Sequence, residues 1–430
     1  MKRTVHPARG PLQGVLEVPG DKSISHRALL FGALANGESH IDGILRSGDC
    51  LATRACLHAL GVRVEDGAED GSVVVHGVGL GGLTAPTGPI DCRRSGTTMR
   101  LLTGILAGQT FPSTLTGDDQ LLRRPMGRIV DPLRVMGAKI QATDAHAPLL
   151  IHGTKLRGAS HRPEVASAQV KSALLLAGLT AEGPTEVHEP GRSRDHTERM
   201  LTAMGADVRV DGRTIRILPA RRLSPLNLSV PSDPSSAAFW LVAGTLVPGS
   251  RLTLVRVGVN PTRTGLIDVL QAMGASIEVK GERSVAGEPV ADLTVEAREL
   301  RGVAIEGQTV VRMIDEFPIL AVAATQALGE TVVRDAGELR VKESDRIAST
   351  VESLRQLGAR IDGRPDGLVV EGPTRLRGGT VASHGDHRLV MALAIAGWIA
   401  DGPVTIDGTE RAEDSYPGFF AAWDRGGRTK

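Results

Sequence analysis

The chain has 430 residues, 50 Lys and Arg against 49 Asp and Glu, and only three Trp, one Tyr and six Phe. That length predicts two or three domains, and near-neutral charge with so few rings excludes a broad nucleic-acid surface, which needs a basic field or a stacking platform. The N-terminus has no apolar signal core, and the longest apolar run, Leu389 to Ala400, is too short for a membrane span. A cytoplasmic protein with no nucleic-acid or membrane partner is therefore expected. Cys50, Cys56 and Cys92 form no CxxC pair and read as reduced, buried thiols without structural zinc.

In chain order, six nearly polarity-free segments predict helices buried on every face: Arg27 to Gly37, Arg100 to Gly108, Ser172 to Gly183, Ala237 to Gly249, Ile319 to Gly329 and Val390 to Gly402. Ahead of them stand DKSISH, RRSGTTM, SAQVK, SDPSS, DEFP and GDHR. A helix start exposes unpaired N–H groups and about half a positive charge, so loading several starts with Lys, Arg, Ser and Gly prepares a site for anions. After each of the first five comes an amphipathic helix closing on Leu/Met-Gly and then a strand: CLHALGVRVE, PLRVMGAKI, MLTAMGADVRV, VLQAMGASIEV and SLRQLGARID. The sixth copy degenerates into FFAAWDRGG. Val18 to Gly37 also matches Val230 to Gly249, which divides the α/β chain into two halves of three units. The predicted domains are 1–18 with 231–430, and 19–230, with the ligand site in a cleft between them.

Candidate chemistry lies at the helix starts. In DKSISHR, Ser23 and Arg27 share a helix face with Lys22 just before it, which suits a phosphate or carboxylate or, alternatively, a capped solvated helix. Gly96 lets a ligand approach the backbone, and Arg100 lies one turn on. Arg124 precedes Pro125, a good first helical residue, so it is expected to project from a helix start. RVKESDR sets Glu343 three and Lys342 four residues before Arg346, either for proton transfer beside an anion or as a salt-bridged helix. Asp315 in DEFP and His387-Arg388 in GDHR add a carboxylate and a fork. No HExxH, GxxxxGK[ST], GxSxG, or GxGxxG at a strand-helix junction supports metal, ATP or dinucleotide chemistry.

Taken together, DKSISHRALL, SGTTMR, RRPMGRIVDPLRVMGAKI, SAQVKSALLLAG, GRSRDHTERML, NPTRTG, DEFP, LRVKESDR and GDHR resemble the 5-enolpyruvylshikimate-3-phosphate (EPSP) synthase family in content and order. The resemblance implies a two-domain inside-out α/β barrel, each domain made of three βαβαββ repeats around buried helices. It implies transfer of the enolpyruvyl group of phosphoenolpyruvate to the 5-hydroxyl of shikimate 3-phosphate, with release of phosphate and no cofactor or metal. It assigns Lys22, Ser23, Arg27, Ser167, Gln169, Arg194, Asp315 and Lys342 to shikimate 3-phosphate. Lys22, Gly96, Arg124, Gln169, Arg346 and Arg388 go to phosphoenolpyruvate. Asp315 is the expected base, Glu343 the acid, and Lys22 a shuttle or charge stabiliser; a monomer is the expected state. Arg93-Arg94, Ala168 and Asp414 depart from the family pattern and put fine binding details in question. The sibling UDP-N-acetylglucosamine enolpyruvyl transferase usually carries a reactive cysteine that is missing between Phe111 and Arg128. A non-catalytic anion-binding or RNA-end-binding module would not call for carboxylates in its site.

Overall fold

The computed structural model describes residues 1–69 and 71–424; Asp70 and 425–430, with the end of FFAAWDRGG and of the expected 231–430 lobe, lie outside them. The chain forms two compact units. An inserted unit comprises Gly20–Val230 and Val285–Glu288, and a terminal unit comprises Met1–Pro19, Pro231–Ser284 and Pro289–Lys430.

The inserted unit contains α1 (Lys22–Leu34), α2 (Gly48–Ala59), α3 (Gly96–Ala107), α4 (Asp119–Leu122), α5 (Gly127–Val135), α6 (Ala168–Gly178) and α7 (His196–Ala203). Because α1, α3 and α6 are apolar on all sides, they fill the core: every residue from Ile24 to Leu34 of α1 and from Val170 to Gly178 of α6 is buried. Three four-stranded sheets surround them with one pattern. In the second, Pro112–Thr116 pairs in parallel with Ile90–Asp91 and antiparallel with His146–His152, which pairs antiparallel with Lys139–Thr143. The third repeats this with Ser160–His161, Thr185–His188, Thr214–Ile217 and Val208–Asp211. In the first, the parallel partner of Asn36–Asp42 comes from the far end of the unit, Asn227–Ser229, so the last strand closes the ring.

The terminal unit contains α8 (Pro234–Leu246), α9 (Gly265–Ala272), α10 (Gln308–Arg312), α11 (Phe317–Thr325), α12 (Arg346–Gln356), α13 (His387–Ile399) and α14 (Phe419–Asp424). Here α8, α11 and α13 are the buried set. Two of its sheets repeat the four-stranded order, and Gln13–Leu16 supplies the parallel strand beside Arg251–Gly258. Among the described residues the third has three strands: Gly379–Ala382, Val404–Asp407 and Lys2–Val5. Where its fourth strand would follow, α14 instead stacks Trp423 on Trp398 at 3.5 Å and sets Phe419 edge-on to Tyr416 at 5.3 Å. Trp240 Nε1 donates to the Tyr416 hydroxyl at 3.0 Å, which satisfies a buried indole.

The glycines closing the amphipathic helices, Gly61, Gly137, Gly205, Gly274 and Gly358, all have φ between +84° and +104°. A side chain is strained in that conformation, so each ends its helix and turns the chain into the next strand.

Candidate active site

In the inserted unit, three buried helix starts gather the expected anion-binding side chains. Asp21 caps α1 by accepting from Ile24 N at 2.9 Å, and Lys22, here the first helical residue rather than the one before it, pairs with Asp49 at 3.1 Å. Arg27 is buried and held by neutral oxygens. Its Nε donates to Thr197 Oγ1 at 2.7 Å, Nη2 to Ser172 Oγ at 2.7 Å and Nη1 to the Ser23 carbonyl at 3.0 Å. Burial lowers its pKa to about 10, against the opposing pull of Glu198. Arg194 Nη1 reaches Ser23 Oγ at 3.4 Å, so Ser23, Arg27 and Arg194 form one group.

At the start of α3, Ser95 is the cap and Gly96 the first residue. A Cβ on Gly96 would stand 2.9 Å from Arg124 Nη1 and 3.5 Å from Arg100 Nη1, so two guanidinium groups crowd this backbone. Arg124 arrives by a different route from that expected. Pro125 does not open a helix: α5 starts at Gly127 with Met126 as cap, and Arg124 N closes the turn after α4 on Leu121 O at 3.0 Å. Gln169, in the first turn of α6, joins the group by accepting from Arg100 Nη1 and donating to Thr97 Oγ1 at 2.8 Å. Ser167 caps α6 through Val170 N at 3.5 Å.

Beneath these starts runs a buried chain of neutral groups. His26 Nδ1 bonds Thr53 Oγ1 at 2.6 Å, Thr53 bonds Thr98 Oγ1 at 2.6 Å, and Thr98 donates to Ser95 Oγ at 2.7 Å. Burial lowers the pKa of His26 to about 3, so it is a neutral imidazole at physiological pH.

In the terminal unit the central cation is Arg346. Its Nε bonds Asp386 Oδ2 at 2.7 Å, Nη2 bonds Glu343 Oε2 at 2.6 Å and Nη1 bonds Asp315 Oδ1 at 3.0 Å. Burial alone would lower its pKa, but Asp386, then Glu343 and Asp315, outweigh that and raise it. Asp386 is fully buried; burial disfavours its charge, yet Arg346 and then His387 hold its pKa below the ordinary value. Removing Arg346 would strand that charge at a cost of about 3–5 kcal/mol. Arg388 Nη2 lies 3.4 Å from the other Asp315 oxygen. Lys342 lies 3.9 Å from Glu338, and burial of its ammonium, opposed first by Asp315, lowers its pKa to about 8. The segment is not one helical turn: a 3-10 turn over Gly337–Val341 ends, Lys342 is extended, and Asp345 caps α12. That break turns Glu343 back onto Arg346.

The expected site residues thus fall into two sets. Lys22, Ser23, Arg27, Gly96, Arg124, Ser167, Gln169 and Arg194 lie in the inserted unit, and Asp315, Lys342, Glu343, Arg346 and Arg388 in the terminal one. Sequence reasoning missed the groups that hold them: Asp49, Ser172, Thr197 and Asp386. Asp386 carried a signal as the cap residue of GDHR, whereas Asp49 and Thr197 sit in helices whose pattern reports only burial. Of the departures, Arg94 pairs with Asp118 at 3.1 Å, Arg93 adopts φ +51°, and Asp414 lies 4.0 Å from Arg411. Among the described residues, no group of three or more His, Cys, Asp or Glu could hold a metal ion, and no helix is long and apolar enough to cross a membrane.

Residues 7–423 match the family model of EPSP synthase (3-phosphoshikimate 1-carboxyvinyltransferase). A 3-phosphoshikimate 1-carboxyvinyltransferase of Gloeobacter violaceus is 55% identical over 97% of each chain. One from an Anaeromyxobacter species is 54% identical, over 97% of this chain and 96% of that one. The EPSP synthase structure from Acinetobacter baumannii is 45% identical, with TM-score 0.89 over 99% of this chain and 98% of that one. The enolpyruvyl transferase NikO from Streptomyces tendae, 18% identical with TM-score 0.80 over 99% of this chain and 97% of that one, shares the fold. With the helix-start cations, the Arg346 carboxylate cluster and similarity over nearly the whole length, the chain belongs to the EPSP synthase family.

Proposed function

We propose that the protein transfers the enolpyruvyl group of phosphoenolpyruvate to the 5-hydroxyl of shikimate 3-phosphate and releases phosphate, acting as a cytoplasmic monomer. In this reading the two residue sets act on one pair of substrates. The observation that carries it is the Arg346 fork, which binds Asp315 and Glu343 within 3.0 Å. A passive anion site gains nothing from carboxylates, whereas a proton-transfer site needs them.

Ser23, Arg27 and Arg194, with Ser167 and Gln169, take the shikimate phosphate and ring. Lys22, Arg124, Gln169, Arg346 and Arg388 take the anionic groups of phosphoenolpyruvate, and Gly96 leaves room for them. Guanidinium forks suit carboxylate and phosphate because two parallel N–H bonds match two oxygens. Asp315, kept charged by Arg346 and Arg388, takes the proton of the attacking hydroxyl, with Lys342 beside that oxygen. Glu343 protonates the methylene carbon of phosphoenolpyruvate. The deprotonated oxygen bonds to C2 to give the tetrahedral intermediate. Glu343 then takes a proton back from the new methyl group as the C2–O bond to phosphate breaks, and the proton held by Asp315 leaves with the phosphate, while Lys22 offsets the negative charge that develops.

Phosphate release from phosphoenolpyruvate tests this directly. Turnover is expected with shikimate 3-phosphate, unaffected by a chelator. Turnover only with UDP-N-acetylglucosamine would assign the sibling reaction, and turnover with neither would leave an anion-binding module.

A further inference from the structure

Behind the segment that carries Arg194, the inserted unit encloses a cavity of about 480 Å³ that none of the roles above uses. Its ionisable lining is Lys171, Glu189, Arg192, Asp195, Glu198 and Arg199. These six are sorted by depth. Lys171 sits at the floor between two carboxylates, with Nζ 2.9 Å from Glu189 Oε2 and 2.7 Å from Glu198 Oε1, and all three side chains are at most 5% exposed. Asp195 at the mouth pairs with Arg199 at 3.0 Å and Arg192 at 3.4 Å, and these arginines are 29% and 55% exposed. Counted over these six side chains, the floor carries one more negative than positive charge and the mouth one more positive than negative.

The floor is also unfinished. Glu189 is satisfied at both oxygens, since Oε2 meets Lys171 and Oε1 accepts from Ser193. Glu198 Oε2, on a residue 4% exposed and lining the cavity, has no hydrogen-bond partner. A buried carboxylate oxygen without a donor is destabilising, because the water it gave up has not been replaced. Burial, against the opposing pull of Lys171 and of the residue's own backbone N–H, raises the pKa of Glu198. The cavity also has apolar wall: Ala203, the buried Ile215 and the half-exposed Val210.

We propose that this cavity binds an α-amino acid with an apolar side chain, its ammonium on Glu198 Oε2, its carboxylate at Arg192 and Arg199, and its side chain against Ile215 and Val210. A bare cation would answer the floor and leave the mouth and wall unused. A carboxylate alone would leave Glu198 unsatisfied. Only a zwitterion meets both charged ends.

Isothermal titration of the full-length protein with L-leucine and L-phenylalanine tests the proposal, with isopentylamine, isocaproate and ammonium chloride as partial ligands. At least one amino acid should bind, and each partial ligand should bind roughly tenfold or more weakly, the loss of one charged contact. Glu198→Gln should weaken amino-acid binding by a similar factor. If that variant does not fold, Val210→Trp, which narrows the mouth from a half-exposed strand position, should abolish binding while leaving thermal unfolding unchanged. The proposal is overturned if neither amino acid binds at about 10 mM, if the amine or ammonium binds as tightly as the amino acids, or if Val210→Trp binds them normally.

Discussion

Arg27 and Arg346 are both buried guanidinium groups near helix starts, but the two units hold them in opposite ways. Arg27 in the inserted unit donates to two hydroxyls and a carbonyl, and its pKa falls to about 10. Arg346 in the terminal unit donates to three carboxylates, and its pKa rises. Neutral partners orient a cation and leave its charge available to an incoming anion. Carboxylate partners already balance the charge, and what they offer a ligand is basic oxygen. In the proposed function the first arrangement serves binding alone, whereas the second holds the proton-transfer carboxylates on the cation that also meets phosphoenolpyruvate.

The largest effect should be a difference in acid stability. Because burial holds the folded-state pKa of His26 near 3 against 6.5 for a free imidazole, the folded state binds fewer protons than the unfolded one between those values. Its contribution is full above pH 6.5 and is lost as pH falls toward 3, by about 1.4 kcal/mol per unit, about 5 kcal/mol in all. In the terminal unit Asp386, with its pKa held below 3.8, stays charged to lower pH. Trp240, Trp398 and Trp423 all lie in the terminal unit, so their fluorescence reports that unit while far-ultraviolet circular dichroism reports both. On acidification, ellipticity should fall before fluorescence changes, and His26→Gln should bring the transitions together. Coincident transitions in the wild type would break the comparison.

Next in size is catalysis. Asp315→Asn and Glu343→Gln keep shape but cannot exchange a proton, so each should lower kcat on the order of a hundredfold or more with little change in KM. Arg27→Gln in the inserted unit should do the reverse, weakening shikimate 3-phosphate binding roughly ten- to a hundredfold for a lost charge-assisted contact. Steady-state kinetics separate the two patterns. Equal losses of kcat and affinity in all three variants would erase the proposed division.

Gly96→Ala gives a smaller effect. The added methyl meets Arg124 Nη1 at 2.9 Å, the far end of a flexible side chain, so the guanidinium shifts rather than the backbone. Affinity for phosphoenolpyruvate should fall several-fold, and that for glyphosate, a longer anion that the family resemblance implies would compete with it, roughly tenfold or more. Inhibition kinetics on both proteins check this, and equal losses for the two molecules would refute it. The smallest effect concerns Lys342. With its pKa lowered to about 8, the ammonium is lost as pH rises through that value, and shikimate 3-phosphate affinity should decline with it. Lys342→Arg keeps its charge and should flatten the profile between about pH 7 and 9.

The sequence by itself determined the elements, because their causes are local. Six segments without polar faces had to be buried helices, and a glycine after the last turn of an amphipathic helix had to end it. It also marked the cations at helix starts, since a run such as DKSISHR is contiguous. Only the tertiary structure decided what each cation touches. Arg124 meets the start of α3 from a chain turn where Pro125 predicts a helix start, and Glu343 folds back onto Arg346 because the 3-10 turn ends before Lys342. Thr197 and Ser172 meet Arg27 from α7 and α6. The cavity on Glu198 likewise joins residues of α6, α7 and the strands beside them. Helical periodicity records which face is buried; the partner on that face is set by the packing of distant segments, and that packing, through burial and neighbouring charge, separates Arg27 from Arg346.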